Sequence, residues 1–166
     1  MRIVPIIALV LFLLGCSKGA VVTYVYDGDT IKIGGESIRL IGVDTPENEW
    51  KEKGVKAQCY GKEATDFMKK MVLGKRVRLE SDDKTSKQDK YGRTLAYVYV
   101  DGKLVNAEII KQGYGVAYTY FPFTKLEEFK HYHDKARESK RGMWDACDVT
   151  CQWKFCEVKF KQNISP

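Results

Sequence analysis

The first third of the chain alternates apolar and polar residues in a way that predicts three β-strands. β-Branched and aromatic residues fill positions 21–26, the pattern resumes at 30–33, and a third apolar stretch covers 37–43. An Asp-Gly-Asp turn separates the first two stretches. A Gly-Gly pair, typical of a two-residue hairpin, separates the second from the third. The sequence therefore predicts a three-stranded meander.

The spacing of apolar residues then changes to the period of an amphipathic helix. Residues 64–72 place apolar side chains at positions i, i+3, i+4, i+7 and i+8, and Gly74 follows as a stop signal. Alternation returns at 76–80 and again at 95–100, which predicts two further strands.

Two more helices are predicted in the second half of the chain. Asn106 is a plausible N-cap for a short helix that ends near residue 110. Thr124 opens a capping box, Thr-Lys-Leu-Glu, before a longer helix that runs toward Arg141. Five strands and three helices in this order predict an α+β fold, a small closed β-barrel of the oligonucleotide-binding type.

The N-terminus has the features of an export signal. Met1-Arg2 is followed by an apolar stretch over 3–14, which is shorter than the about 20 residues that a spanning helix needs. Leu-Leu-Gly-Cys, ending at Cys16, resembles the bacterial lipobox. We expect a signal peptide over 1–15 and a lipid on Cys16, hence a lipoprotein on the outer or cytoplasmic membrane surface. The alternative is an ordinary secretory signal and a secreted protein.

The remaining cysteines support an exported location. Cys59, Cys147, Cys151 and Cys156 are an even number, and two disulfides are favoured over a zinc site because the spacings do not form paired zinc knuckles. Four cysteines allow three pairings, with Cys59 as the expected long-range partner. We predict one domain over 16–146 and a cysteine-containing tail over 147–166.

Acidic and basic residues at the predicted strand ends suggest phosphodiester chemistry. Asp29 and Asp44 could ligate a hard cation such as Ca²⁺, Arg39 and Arg93 could neutralise a phosphate, and Glu47 is the available base. Histidine chemistry is not expected, because the two histidines lie two residues apart on the third helix, where we predict them to be solvated. The net charge of +6 suits nucleic acid, but equally an anionic lipid surface or mere solubility.

Five motifs in order resemble the staphylococcal nuclease, or thermonuclease, family. The similarity extends over about 21–144, and the motifs occupy 25–30, 39–47, 60–64, 89–93 and 95–103. The resemblance implies the barrel with three helices. It also implies Ca²⁺-dependent cleavage of DNA and RNA at the 5′-oxygen bond, which leaves 3′-phosphate ends.

The resemblance also implies a role for each matched residue. Asp29 and Asp44 would bind calcium through their carboxylates and Thr45 through its backbone carbonyl, with Asp27 behind them. Arg39 and Arg93 would bind the scissile phosphate, and Glu47 would orient or deprotonate the attacking water. The residues expected to contact the substrate elsewhere are Lys90, Tyr91, Tyr118 and Tyr120.

Two features limit the resemblance. The segment 47–60 is about two residues longer than in the staphylococcal enzyme, and the tail after Trp144 has no counterpart there. We expect a monomeric enzyme. The alternative is a catalytically silent nucleic-acid-binding module of the same fold.

Overall fold

A closed barrel of five strands forms the centre of the protein and confirms the predicted α+β fold. The computed structural model describes residues 19–152 and 155–161, apart from the side chain of Lys53. The strands in this part of the chain are β1 (Ala20–Val25), β2 (Thr30–Ile33), β3 (Glu36–Leu40), β4 (Val43–Asp44), β5 (Arg76–Glu80), β6 (Thr94–Val100), β7 (Lys103–Leu104), β8 (Val116–Ala117), β9 (Cys147–Gln152) and β10 (Phe155–Phe160).

The barrel is closed by a parallel seam between two strands that are distant in sequence. The strands pair in the order β3-β2-β1-β5-β6, and β3 pairs in addition with β6. In this seam Arg39 is opposite Leu95, and Leu40 is opposite Ala96. Closure leaves no free edge between these strands, as expected for a small barrel.

In the described part of the chain the three predicted α-helices are present, with one short α-helix and a 3₁₀ helix (Lys51–Lys53) added. The α-helices are α1 (Gly61–Val72), α2 (Val105–Lys111), α3 (Leu126–Glu138) and the four-residue α4 (Met143–Ala146). Helix α1 buries Ala64, Met68 and Val72. These residues belong to the apolar stripe that the helical spacing of residues 64–72 predicts.

The predicted N-caps of α2 and α3 are wrong. Asn106 is buried inside α2, where its side chain accepts a hydrogen bond from the Val98 N–H and donates to the Ile41 and Ala96 carbonyls. The Thr124 hydroxyl donates to Asp82 rather than capping α3. Asn106 satisfies buried backbone groups and Thr124 satisfies the Asp82 carboxylate, because the polar groups that cap helices can equally bond to groups on distant segments.

Two clusters of buried residues hold the fold together. The main cluster fills the barrel and extends under α2 and α3, with Ile31, Ile38, Tyr97 and Phe129 among its most buried members. The smaller cluster consists of Cys59, Val116, Met143, Cys147 and Val158. It lies where the C-terminal segment meets the rest of the protein.

The segment after α4 forms an antiparallel hairpin of β9 and β10, which we call the tail hairpin. Two disulfides fix it. Cys59–Cys147 joins its first residue to the segment before α1, across 88 residues, and Cys151–Cys156 connects its two strands. With all four sulfurs paired, none is a thiolate available to zinc.

Residues 1–18 lie outside the described part of the chain, so the signal peptide over 1–15 and the lipid on Cys16 stay predictions. The same holds for the domain limits at 16–146 and 147–166. Among the residues that the structure describes, no helix combines the length and apolar character needed to cross a bilayer.

Candidate active site

Three aspartates meet at one end of the barrel. Asp27 and Asp29 lie in the turn between β1 and β2, where the Asp27 carboxylate accepts a hydrogen bond from the Asp29 N–H at 3.0 Å. Asp29 is buried, and its carboxylate accepts from the Thr45 N–H at 3.0 Å and from the Thr45 hydroxyl at 3.2 Å. These bonds attach the β1–β2 turn to the end of β4, which carries Asp44.

Gly28 permits this close approach. A Cβ atom at that position would lie 2.7 Å from the Thr45 hydroxyl oxygen and 2.9 Å from the Ala64 side chain. The glycine between the two aspartates is therefore required by packing against Thr45 and α1.

Arg39 connects the two aspartates that sequence analysis assigned to the cation. One guanidinium nitrogen forms an ion pair with Asp29, and the other donates to Asp44 Oδ1 at 2.9 Å. Arg39 is largely buried, whereas the Asp44 side chain is 41% exposed. The guanidinium is therefore held by two carboxylates, one of which is open to solvent.

Arg93 is held by a different carboxylate. Its Nε donates to Asp89 Oδ2 at 2.7 Å, and its backbone N–H donates to Asp89 Oδ1 at 3.0 Å. Its Nη1 also lies 3.4 Å from the Thr30 hydroxyl, which donates to Asp29. A chain of hydrogen bonds thus joins Arg93 to the carboxylate that pairs with Arg39.

Glu47 is positioned through its backbone. Its N–H donates to the Gln58 side chain at 2.8 Å, and its carbonyl accepts from the Gln58 N–H at 2.9 Å. A Cβ atom at Gly61, the first residue of α1, would collide with this same carbonyl. Because Gln58 adjoins Cys59, the long-range disulfide anchors the segment that supports Glu47.

The acidic groups influence one another strongly. Burial raises the pKa of Asp27 and of Asp44, against the opposing charge of Arg39. Burial, followed by the charges of Asp27 and Asp44, raises the pKa of Glu47. Together with Asp29 and with Asp89, which pairs with Arg93, five carboxylates face two guanidinium groups, which leaves a surplus of negative charge when all are ionised.

A cleft of about 710 Å³ opens beside this cluster. Arg39, Asp44 and Arg93 line its floor, while Asp27 and Glu47 line an adjoining smaller pocket of about 260 Å³. The cation and phosphate ligands predicted from the sequence therefore lie together at one end of the barrel. Asp44 lines the cleft, Asp27 and Glu47 line the smaller pocket, and Asp29 and Thr45 line neither.

The residues predicted to contact substrate lie along the cleft. Lys90 and Tyr91 are on one edge, where the Lys90 Nζ is 4.9 Å and the Arg93 guanidinium carbon 5.5 Å from the centre of the Tyr91 ring. Tyr118 and Tyr120 are on the other edge, stacked with 6.2 Å between ring centres. These tyrosines face the cleft and are not packed beneath α3.

The two histidines lie apart from this cluster. His131 is exposed, as predicted, but His133 is half-buried and accepts a hydrogen bond from the Ala117 N–H at 3.3 Å. Burial lowers the pKa of His133. Its ring lies near Cys151 and Cys156, whose sulfurs are bonded to each other.

Sequence analysis missed three residues of the site. Asp89 fixes Arg93, and its position four residues before that arginine was the available signal. Thr30 connects the two arginine sites through its hydroxyl. Phe155 reaches the cleft from the tail hairpin, and no local pattern in the sequence indicates this.

Comparisons of the sequence with known proteins relate the chain to one protein family. The sequence profile of the family described as Staphylococcal nuclease homologue matches residues 37–146. Thermonuclease of Staphylococcus hyicus is 38% identical over 125 residues, which cover 72% of this chain and 72% of that protein.

Two relatives from Bacillus subtilis (strain 168) are each 41% identical over 124 residues, or 71% of this chain. They are Endonuclease YncB and SPbeta prophage-derived endonuclease YokF, and the matched part is 57% and 41% of their respective lengths. The chain thus spans about half the length of these two relatives. The profile match and the identity over most of the chain show that the protein belongs to the staphylococcal nuclease family.

Proposed function

We propose that this protein is an endonuclease that hydrolyses phosphodiester bonds of DNA and RNA. The observation that carries the proposal is the placement of two guanidinium groups, each fixed by carboxylates, on the floor of one cleft. Guanidinium groups bind phosphate oxygens in a fixed planar geometry and stay charged at any pH of interest. The relatives named as endonucleases and thermonuclease support the same activity.

The acidic cluster fits a hard divalent cation, and we assign Ca²⁺ to it. Carboxylate and carbonyl oxygens are the donors that calcium prefers, and the surplus of negative charge in the cluster favours a cation. Asp29, Asp44 and the Thr45 backbone carbonyl would hold the ion, with Asp27 behind them. Once bound, the ion would supply positive charge to the phosphate oxygens.

The side chains of the protein would perform the remaining steps. Arg39 and Arg93 bind the scissile phosphate and stabilise the charge that builds up on its oxygens in the transition state. Glu47 accepts a proton from the water that attacks phosphorus. The bond to the 5′-oxygen breaks, that oxygen takes up a proton from solvent, and the phosphate stays on the 3′-oxygen.

The cleft edges would hold the rest of the substrate. Lys90 and Tyr91 would contact a neighbouring phosphate, and Tyr118 and Tyr120 would contact a base and its sugar. The arrangement of a cationic edge opposite an aromatic edge supports this division, because phosphates need charge and bases need flat apolar surfaces.

A cleavage assay tests the proposal. Purified mature protein is incubated with labelled single-stranded DNA and with RNA, first with calcium and then with excess chelator. We expect fragments with 3′-phosphate ends in calcium only, identified by their resistance to extension until a phosphatase removes the phosphate. Binding without fragments would favour the catalytically silent module instead.

We also propose that the protein acts outside the cytoplasm as a monomer attached by a lipid on Cys16. The two disulfides support this location, since such bonds persist in oxidising compartments. Cells fed labelled palmitate should incorporate label into the wild-type protein and none into Cys16→Ser. An unlabelled wild-type protein in the medium would instead support ordinary secretion.

A further inference from the structure

The tail hairpin contributes an aromatic ring to the cleft. Phe155, the first residue of β10, lines the cleft together with Arg39 and Arg93. It lies beyond residue 146, where the family profile ends. The hairpin is therefore an addition to the barrel that reaches the proposed catalytic floor.

Phe155 completes a group of four aromatic rings, which we call the aromatic wall: the half-buried Tyr118 and the exposed Tyr120, Phe121 and Phe155. The centre of the Phe155 ring is 5.4 Å from that of Tyr120 and 6.1 Å from that of Tyr118, and Tyr120 and Phe121 are 4.8 Å apart. Phe121 and Phe155 are each 56% exposed. So much apolar ring surface in contact with water is unfavourable unless a ligand covers it.

Covalent bonds hold the part of the tail hairpin that carries Phe155 in place. Cys151–Cys156 joins the two hairpin strands directly beside Phe155, and Cys59–Cys147 fastens the hairpin to the segment before α1. Val158 is buried in the small cluster on the other side. A ring that is held rigidly loses little freedom on binding, which favours stacking against a flat partner.

We propose that the aromatic wall, through Phe155 of the tail hairpin, binds an unpaired nucleobase of single-stranded nucleic acid next to the bond being cut. This inference rests on the proposed function. The wall lines the same cleft as Arg93 on its floor and Lys90 on its other edge, so phosphates and bases of one strand would find complementary surfaces. In a duplex the base faces are already stacked and cannot reach these rings, whereas the bases of a single strand can.

The proposal predicts a preference for single strands that depends on Phe155. With calcium present, Phe155→Ala should raise KM for a single-stranded oligonucleotide about tenfold, in line with the loss of one base–aromatic stack. We expect kcat to change less than about twofold, because the arginines and carboxylates that act on phosphorus are held by the barrel. KM for the corresponding duplex should stay unchanged, and Phe155→Tyr should restore the wild-type values because it keeps the ring.

Phe160 provides a matched control on the same strand. It is 62% exposed, lies five positions further along β10 and therefore on the opposite face, and does not line the cleft. Phe160→Ala should leave both KM values unchanged. Equal thermal midpoints and the absence of free thiols in all variants would show that each hairpin is intact.

Oligonucleotide substrates that lack one base identify the nucleobase that stacks on the Phe155 ring. A series of oligonucleotides, each with a single abasic position, should contain one member that raises KM of the wild type about as much as Phe155→Ala does. With the Phe155→Ala protein that member should have no further effect, because the two partners of one contact are then both absent.

The possible outcomes separate this inference from the proposed function. A wild-type protein that cuts no nucleic acid contradicts the proposed function. A wild-type protein that cuts normally, with Phe155→Ala behaving like Phe160→Ala or affecting duplex and single strand equally, overturns only the stacking site. A change in oligomeric state on size-exclusion chromatography in Phe155→Ala alone would make the wall a surface for self-association and would also overturn it.

Discussion

The two walls of the cleft are held in different ways. The barrel wall, which carries Arg39 and Arg93, rests on the main buried cluster and on the closed ladder of strands. Among the described residues, the tail hairpin rests on a small cluster of five buried residues and on two disulfides. Packing positions the groups proposed to act on phosphorus, and covalent bonds position the group proposed to bind a base.

The comparison suggests why such a short segment can contribute to a binding site. A two-stranded hairpin is marginally stable in water by itself. Cross-links compensate for the missing core, as they do in small secreted domains. A cleft can thus gain a wall after the barrel has been completed, without any change to the barrel.

The largest effect should follow from breaking the long-range cross-link. The double variant Cys59→Ser/Cys147→Ser should lose about 4 kcal/mol of unfolding free energy, because the bond closes a loop of 88 residues in the unfolded chain. Urea unfolding followed by circular dichroism measures this loss. An unfolding free energy equal to that of the wild type would show that the barrel alone sets stability.

The next largest effect should follow from removing an arginine of the barrel wall. Arg93→Ala should reduce kcat/KM at least a hundredfold, about 3 kcal/mol, because it removes a fixed charge from the transition state. The matched control is Arg137→Ala, since Arg137 is half-exposed on α3 in an ion pair with Asp134 and is remote from the cleft. Comparable losses in both variants would argue that charge in general, and not the position of Arg93, supports cleavage.

The short cross-link should matter less to stability. Cys151→Ser/Cys156→Ser opens a loop of only five residues, so the expected loss is about 2 kcal/mol. The same unfolding experiment applies. A loss equal to that from Cys59→Ser/Cys147→Ser would mean that the hairpin unfolds as one unit whichever bond is removed.

The smallest effect concerns the stability of the barrel in acid. Burial tends to raise the pKa of Asp82, but hydrogen bonds from Tyr97, Thr124 and Lys84 outweigh it, so the pKa is lower in the folded protein than in the unfolded chain. The stabilisation is therefore present above the unfolded pKa of about 3.9 and is lost as the pH falls through the folded value.

Thermal unfolding from pH 6 to pH 2 measures this loss, with Asp82→Asn as control. The wild type should be more stable than Asp82→Asn at pH 6, and the difference should shrink in acid. A difference that stays constant over this range would contradict the assignment.

The barrel could be predicted from sequence because local patterns determine its strands. Residues 76–80 were predicted as a strand, and β5 has those limits. The predicted third strand over 37–43 is divided into β3, which ends at Leu40, and the short β4. The two-residue strands β7 and β8 were not predicted, since two residues carry no period. Asn106 was misassigned because its side chain satisfies backbone groups of β6 and of residue 41, which only the folded chain brings near.

The sequence motifs identified most residues of the candidate site but not the contacts among those residues. Sequence indicated that Asp29, Arg39 and Asp44 meet, and the structure adds that the guanidinium lies between the two carboxylates. The position of Phe155 depends on how the hairpin is fastened, and a list of cysteines leaves three possible pairings. The pairing and the position of Phe155 depend on the tertiary structure and could not be obtained from the spacing of the cysteines in the sequence.

The parallel seam between β3 and β6 has a consequence for the order of events in folding. Arg39 sits within this seam and Arg93 directly precedes it, so the two come together only when strands more than fifty positions apart have joined. Pairing over such a separation forms late, because the entropy of the intervening chain must be overcome first. A nascent or half-folded molecule would lack a working centre, and in a refolding experiment nuclease activity should return no sooner than native barrel closure.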